Sequence, residues 1–146
     1  MEVIIREAQN HDIPDLLKLN NELNGVGLST VESMKESLEN NKNEIIFVAV
    51  CDNEVAGFIC GQLYSSICYS NSKEGEITEL MIDENYRRKG IATMLINRME
   101  LEFTKNNVLE ITVKTGIKNF NAQKLYEKCG YEHKRKAYLK NIFPCT

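Results

Sequence analysis

No apolar stretch of this chain approaches the ~18 residues that a membrane-spanning helix needs, so the sequence offers no span. It also lacks a basic excess. Lys and Arg total 18 against 21 Asp and Glu, a formal net charge of −3, which argues against the broad cationic footprint of a nucleic-acid binder. The five cysteines, Cys51, Cys60, Cys68, Cys129 and Cys145, are odd in number, and no two stand in C-x-x-C spacing. That removes the usual zinc-site and thioredoxin-like motifs and leaves reduced, mostly buried thiols as the expectation. The opening MEVIIREAQ is too short an apolar run for a secretory signal. A G-x-x-x-x-G-K-[ST] loop is missing too, as are internal repeats, linkers and low-complexity tracts. Together these absences lead to the expectation of a cytoplasmic protein with no metal, no membrane partner and no nucleic-acid partner.

What is present reads as one α/β domain over residues 1–146. A chain of that length buries roughly 70% of the surface it exposes when unfolded. Its 42% apolar and 27% charged residues are ordinary globular usage. Val3 to Arg6 reads as a strand, and Asn10 as the cap of a helix that carries Pro14 in its first turns and runs to Leu23. Gly25 and Gly27 break it. Ser29 with Glu32 has the spacing of a capping box for a second helix reaching Asn41. Two strands follow, Glu44–Cys51 and Glu54–Tyr64, turning at Asp52-Asn53. Residues 65–75 read as loop and 76–83 as strand. A helix from Gly90 to about Asn106 carries Ile91, Leu95, Met99 and Phe103 on one stripe. Leu109, Ile111 and Val113 alternate as a strand. Ala122, Leu125, Tyr126 and Cys129 define a helix ended by Gly130, and 131–142 is predicted as a last strand. Antiparallel hairpins followed by β-α-β imply a mixed, mostly antiparallel sheet with helices on both faces.

The most informative segment is Asn85-Tyr86-Arg87-Arg88-Lys89-Gly90-Ile91-Ala92-Thr93, which joins a strand to a helix. The first N–H groups of a helix have no intrahelical partner, and with the helix dipole they form an anion cradle. Gly90 and Ala92 leave room for a phosphate to approach the backbone, and three adjacent cations add attraction. A plain basic turn is the alternative for this segment taken alone.

Arg87-Arg88-Lys89-Gly90-Ile91-Ala92 resembles the [QR]-x-x-G-x-[GA] signature of the GNAT N-acetyltransferase superfamily, with Ala92 where many members have a second glycine. Asn119-x-x-Ala122-x-x-Leu125-Tyr126-x-x-x-Gly130-Tyr131 resembles that family's second signature. Ile5-Arg6-x-Ala8 with Asp12-Ile13 is similar to its opening, and the element order matches across essentially the whole chain. The resemblance implies a single GNAT-like domain whose central strand pair is splayed, with acetyl-CoA wedged between the strands at 76–83 and 109–115. It implies that Arg87, Arg88, Lys89, Gly90, Ile91, Ala92 and Thr93 hold the pyrophosphate. Backbone groups near Leu80, Met81 and Ile82 would bond the pantetheine arm and polarise the acetyl carbonyl. The run Leu80-Met81-Ile82 independently breaks strand alternation, as a β-bulge would.

Acetyl transfer to an amine needs a neutral nucleophile, a stabilised oxyanion and a leaving thiol. The thioester is already activated, so no cysteine need be catalytic. Tyr126 matches the family tyrosine that faces the departing thiolate, although its place on the helical stripe also suits simple packing. Asn119 fits a helix cap and, by resemblance, a contact to the coenzyme arm. Glu79 is the candidate base, with Glu76 the rival, and burial by Leu80, Met81 and Ile82 would strengthen it. A solvated surface carboxylate is the alternative for either. The acidic balance of 73–84 suits a cationic acceptor: a polyamine, an aminoglycoside-like amine, an amino acid or a peptide amine. A non-catalytic acyl-CoA-binding regulatory module is the competing reading, and the oligomeric state is open, a homodimer included.

Overall fold

The computed structural model describes residues 1–143. The chain begins with β1 (Val3–Glu7), a 3-10 turn at Asn10–Asp12, α1 (Ile13–Asn24) and α2 (Val31–Asn40). It continues with β2 (Glu44–Cys51), β3 (Glu54–Tyr64), β4 (Lys73–Ile82), α3 (Ile91–Lys105), β5 (Val108–Val113) and α4 (Phe120–Lys128). The described residues divide into two compact units, Met1–Lys114 and the segment from Thr115 onward.

In the first unit the five strands form one sheet in the order β1-β2-β3-β4-β5. The first three pairings are antiparallel and β4 pairs with β5 in parallel, with α3 as the crossover. The sheet is therefore mixed and mostly antiparallel, as the sequence suggested. Successive residues of a strand point to opposite faces, and each face carries its own helical layer. On one face Leu16 and Leu19 of α1 pack with Val48, Phe58, Cys60 and Met81, joined by Met34 of α2. On the other lies α3, whose Ile91, Leu95, Met99 and Phe103 are all essentially buried. There the Arg98 guanidinium stacks 4.4 Å over the Phe47 ring. Phe103 and Met99 sit so close to the sheet that a Cβ at Gly61 would meet Met99 Sδ and Phe103 Cζ at 2.7 Å. A glycine is what lets the helix approach. Each large side chain so buried contributes about 1.5–3 kcal/mol.

The start of α1 is anchored by charge. Asp12, 2% exposed, takes Arg6 in a two-pronged ion pair at 2.7 and 2.9 Å, and its Oδ2 also accepts the Gln9 N–H at 2.8 Å. Asp12 thus stands at the helix cap, and Asn10 belongs to the preceding 3-10 turn. The second helix also starts one residue later than its sequence signal. Thr30 Oγ1 accepts the Ser33 N–H at 3.0 Å while Ser33 Oγ accepts the Thr30 N–H at 2.9 Å, and this reciprocal pair takes the place of Ser29 and Glu32. A hydroxyl on an extended residue (φ −128°, ψ 168°) suits the N-cap, and a second hydroxyl three residues on closes the box.

Two further boundaries differ from the sequence reading. Strand β4 begins at Lys73, inside the stretch read as loop, because Lys73 pairs with Val108 of β5 and residues 74–77 gain partners on both sides, from β3 and β5. The last strand expected over 131–142 does not form among the described residues. A strand needs a ladder partner, no described strand pairs with this segment, and its Tyr138 and Leu139 stand exposed. Cys51 and Cys60 are buried, Cys129 half-buried and Cys68 exposed, all as free thiols, while Cys145 lies outside the described residues.

Candidate active site

The pairing of β4 changes along its length. Its ladder with β5 runs from Lys73↔Val108 to Ile77↔Val113 and stops there. From Glu79 to Ile82 the strand keeps only its β3 partner. Within the same stretch the β3 register steps from Gly61↔Ile77 to Cys60↔Glu79, so Thr78 is an extra residue, and its Oγ1 donates to the Cys60 carbonyl at 3.3 Å. This is a bulge two residues before the Leu80-Met81-Ile82 run that signalled it. The result is a strand edge at 78–82 released from β5, the splay that the family resemblance implied.

Beyond β4 the chain makes a 3-10 turn at Glu84–Tyr86 and enters α3. Arg87 Nε donates to the Ile82 carbonyl at 3.2 Å, turning the loop back on the end of β4. Tyr86 Oη donates to Glu54 Oε2 at 2.8 Å, tying the loop to the β2–β3 turn, and the Lys89 ammonium lies 5.8 Å above the Tyr86 ring. The hydrogen bond to Glu54 is the main reason the Tyr86 hydroxyl is pushed up to about 12. Arg88 and Gly90 both adopt left-handed backbone, φ +61° and +79°. Gly90 is the N-cap of α3, and a Cβ built on it would meet nothing within 4 Å. The first intrahelical bond runs from the Met94 N–H to the Gly90 carbonyl at 3.2 Å. The amides of Ile91, Ala92 and Thr93 therefore precede the ladder, as in any helix start. Open space over a glycine, helix-start amides and nearby cations fit an anionic group such as a pyrophosphate.

The two acidic candidates differ in their surroundings. Glu79 is exposed, and the burial expected from Leu80, Met81 and Ile82 is not provided: Met81 is buried in the α1 face, and Leu80 and Ile82 are half-buried. Glu76 is engaged on both oxygens. Tyr64 Oη donates to its Oε1 at 3.0 Å, and Lys114 Nζ lies 3.3 Å from its Oε2. Burial first, and the Glu76 carboxylate second, raise the Tyr64 hydroxyl above its ordinary value. Tyr64 and Lys114 were not legible as site residues in the sequence, since only the β3–β4–β5 register brings them to Glu76. The Tyr86–Glu54 tether was missed for the same reason. Burial pushes the Cys60 thiol well up and raises Cys51, so neither is a ready thiolate.

In the second unit Asn119 caps α4, its Oδ1 accepting the Ala122 N–H at 3.2 Å. Tyr126 is 7% exposed and meets the Tyr131 ring edge-on, with centroids 5.5 Å apart. Gly130 ends the helix with φ +94°. Among the described residues no group of three His, Cys, Asp or Glu is placed to hold a metal ion, and no helix is long and apolar enough to cross a membrane.

The model of the acetyltransferase (GNAT) family matches residues 13–131. An N-alpha-acetyltransferase of Saccharolobus solfataricus is 32% identical over 138 residues, covering 88% of this chain and 79% of that protein. N-alpha-acetyltransferase 30 of Xenopus laevis is 30% identical over 98 residues, covering 67% of this chain and 35% of its own length. An aminoglycoside acetyltransferase from a soil metagenomic sample, solved with sisomicin, superposes with a TM-score of 0.82 at 19% identity, covering 97% of each chain. That last likeness speaks for the fold alone. The chain belongs to the acetyltransferase (GNAT) family. It is an acetyl-CoA-dependent N-acetyltransferase.

Proposed function

We propose that the protein acetylates the α-amine at the N-terminus of a peptide, by direct attack of that amine on acetyl-CoA within a ternary complex. The observation that carries this is the released β4 edge, with Glu79 exposed where the strand leaves β5. Residues 1–146 act as one acetyltransferase domain. Arg87, Arg88 and Lys89, with the amides of Gly90, Ile91, Ala92 and Thr93, take the pyrophosphate. Backbone groups of Leu80, Met81 and Ile82 take the pantetheine arm and the acetyl carbonyl, where an N–H aimed at the developing oxyanion is a strong catalytic term. Asn119 contacts the coenzyme arm while capping α4. Tyr126 gives a hydrogen bond to the departing thiolate. Proton transfer from a tyrosine of pKa ~10 to a thiolate of pKa ~8.5 is uphill, so steering outweighs protonation. Glu79, directly or through a water, receives the proton of the amine.

The acceptor class is supported by the Saccharolobus solfataricus relative and by acid–base arithmetic. With Glu79 exposed, the acceptor that needs least help is one already partly neutral. An α-amine of pKa ~7.8 is roughly a quarter neutral at pH 7.4, whereas an alkyl ammonium of pKa ~10.4 is only about 0.1% neutral. The test is thiol release from acetyl-CoA with four acceptors: a peptide with a free N-terminus, the same peptide N-blocked but carrying a lysine, a polyamine and an aminoglycoside. Turnover confined to the free N-terminus is expected. Turnover with the polyamine or aminoglycoside alone would overturn the acceptor assignment. Glu79→Gln should lower kcat and remove an ionisation from the acidic limb of the pH profile. A rise in acceptor KM alone would make Glu79 a binding group.

A further inference from the structure

We infer that Tyr64, Glu76 and Lys114 form a clasp that fixes the point at which β4 and β5 part, and so positions the strand edge that takes the coenzyme arm. The three side chains come from three adjacent positions in the sheet: β3, β4 and the residue directly after β5. Glu76 pairs with Gln62 on one side and Thr112 on the other, one rung before the parallel ladder ends at Ile77↔Val113. Lys114 is the first residue past that last rung. Its ammonium reaches back 3.3 Å to Glu76 Oε2, while Tyr64 Oη holds Oε1 at 3.0 Å. On β4 the next residue after the last rung is the bulged Thr78. The clasp thus spans the vertex of the splay: on one side paired backbone, on the other an edge without a β5 partner.

The arrangement explains why a glutamate stands there. An antiparallel or parallel ladder that ends in mid-strand frays by another rung unless something resists it, and each rung gained or lost changes which β4 amides are free. A carboxylate bonded from β3 and ion-paired from the exit of β5 holds both neighbours of β4 to the same point. With both oxygens engaged, Glu76 is a positioning residue, and Glu79 remains the candidate base. The Glu76 side chain is 14% exposed and that of Lys114 74% exposed, so the ion pair is largely solvated and its effect is modest.

The inference rests on the reading that the 78–82 edge receives the coenzyme arm. Its test is steady-state kinetics and coenzyme titration of Lys114→Met, Tyr64→Phe, Glu76→Gln and the Glu76→Gln/Lys114→Met double variant. The expected result is a rise of about 3- to 5-fold in KM and Kd for acetyl-CoA in Lys114→Met, the range an exposed pair supports. The double variant should be no worse than Glu76→Gln, because the two act as one unit. In Lys114→Met kcat should fall no further than coenzyme affinity does, and the acidic limb of the pH profile should stay as in wild type. Exchanging the charges, Glu76→Lys with Lys114→Glu, should recover part of the loss. The clasp is refuted if Lys114→Met leaves coenzyme affinity unchanged, or if Glu76→Gln lowers kcat and removes an ionisation, which would make Glu76 the base. Gly90→Glu, assayed alongside, separates the two readings. If it too leaves coenzyme affinity intact, the placement of the coenzyme is at fault and not the clasp alone.

Discussion

Replacing Gly90 tests the anion cradle, because its two consequences can be measured apart. The residue sits at φ +79° with open space where a Cβ would go. Any L side chain there bears a left-handed strain of about 1–2 kcal/mol, and Asn bears least. For a domain of this size 1 kcal/mol moves Tm by about 2–4 °C, so Gly90→Ala and Gly90→Glu should both melt a few degrees below wild type without ligand. The second consequence appears only with acetyl-CoA. At one hundred times Kd a native-state ligand adds about 2.7 kcal/mol, a rise of roughly 5–10 °C. A glutamate carboxylate about 5 Å from a phosphate charge, at an effective dielectric of ~20, opposes binding by about 3 kcal/mol. That is about a 200-fold loss of affinity. At the same acetyl-CoA concentration the rise should shrink below about 1 °C in Gly90→Glu, and survive in Gly90→Asn. Thermal shift with and without acetyl-CoA measures both. A full ligand-induced rise in Gly90→Glu would place the pyrophosphate elsewhere and refute the reasoning.

Tyr126→Phe keeps the ring and its edge contact with Tyr131. Turnover is expected to fall by roughly 10- to 1000-fold with coenzyme affinity little changed, and wild-type turnover would assign the residue to packing. Asp12 gives a pH prediction. Burial opposes its charge, but the Arg6 hydrogen bonds, the Gln9 N–H and the charges of Arg6 and His11 outweigh it and hold the carboxyl below its ordinary value. A depressed folded pKa contributes stability above the unfolded value of ~3.9, and that stability is lost as pH falls through the folded value. Asp12→Asn should therefore cost about 1–3 kcal/mol at neutral pH, with the gap closing in melts as pH falls below the ordinary carboxylate range. An equal gap at every pH would sink that account. Gly75→Ala puts a Cβ 2.9 Å from Phe103 Cδ2, and a loss of about 1–3 kcal/mol is expected by denaturant titration.

The parts legible in the sequence were those written by neighbours in the chain. The stripe Ile91, Leu95, Met99 and Phe103 follows helical period and is buried as a stripe, because side chains at i and i+4 share one helix face wherever the helix lies. Strands β2 and β3 were bounded by their own apolar runs and the Asp52-Asn53 turn, where both residues take positive φ. Gly90 could be assigned to the start of α3 because a tight strand-to-helix turn calls for a left-handed residue. Tertiary structure decided what depends on partners far along the chain. The bulge settled on Thr78 because β3 and β5 both claim β4 up to Ile77, a contest between registers that no single strand encodes. Glu76 and Glu79 look alike in sequence, yet one is held by Tyr64 and Lys114 and the other faces solvent, since burial and pairing follow from register and not from local pattern. Asp12 displaced Asn10 at the cap because Arg6, on β1, supplied a two-pronged countercharge to the buried carboxylate. Residues 131–142 formed no strand among the described residues, for a strand exists only with a ladder partner, and a partner belongs to the fold and not to the segment.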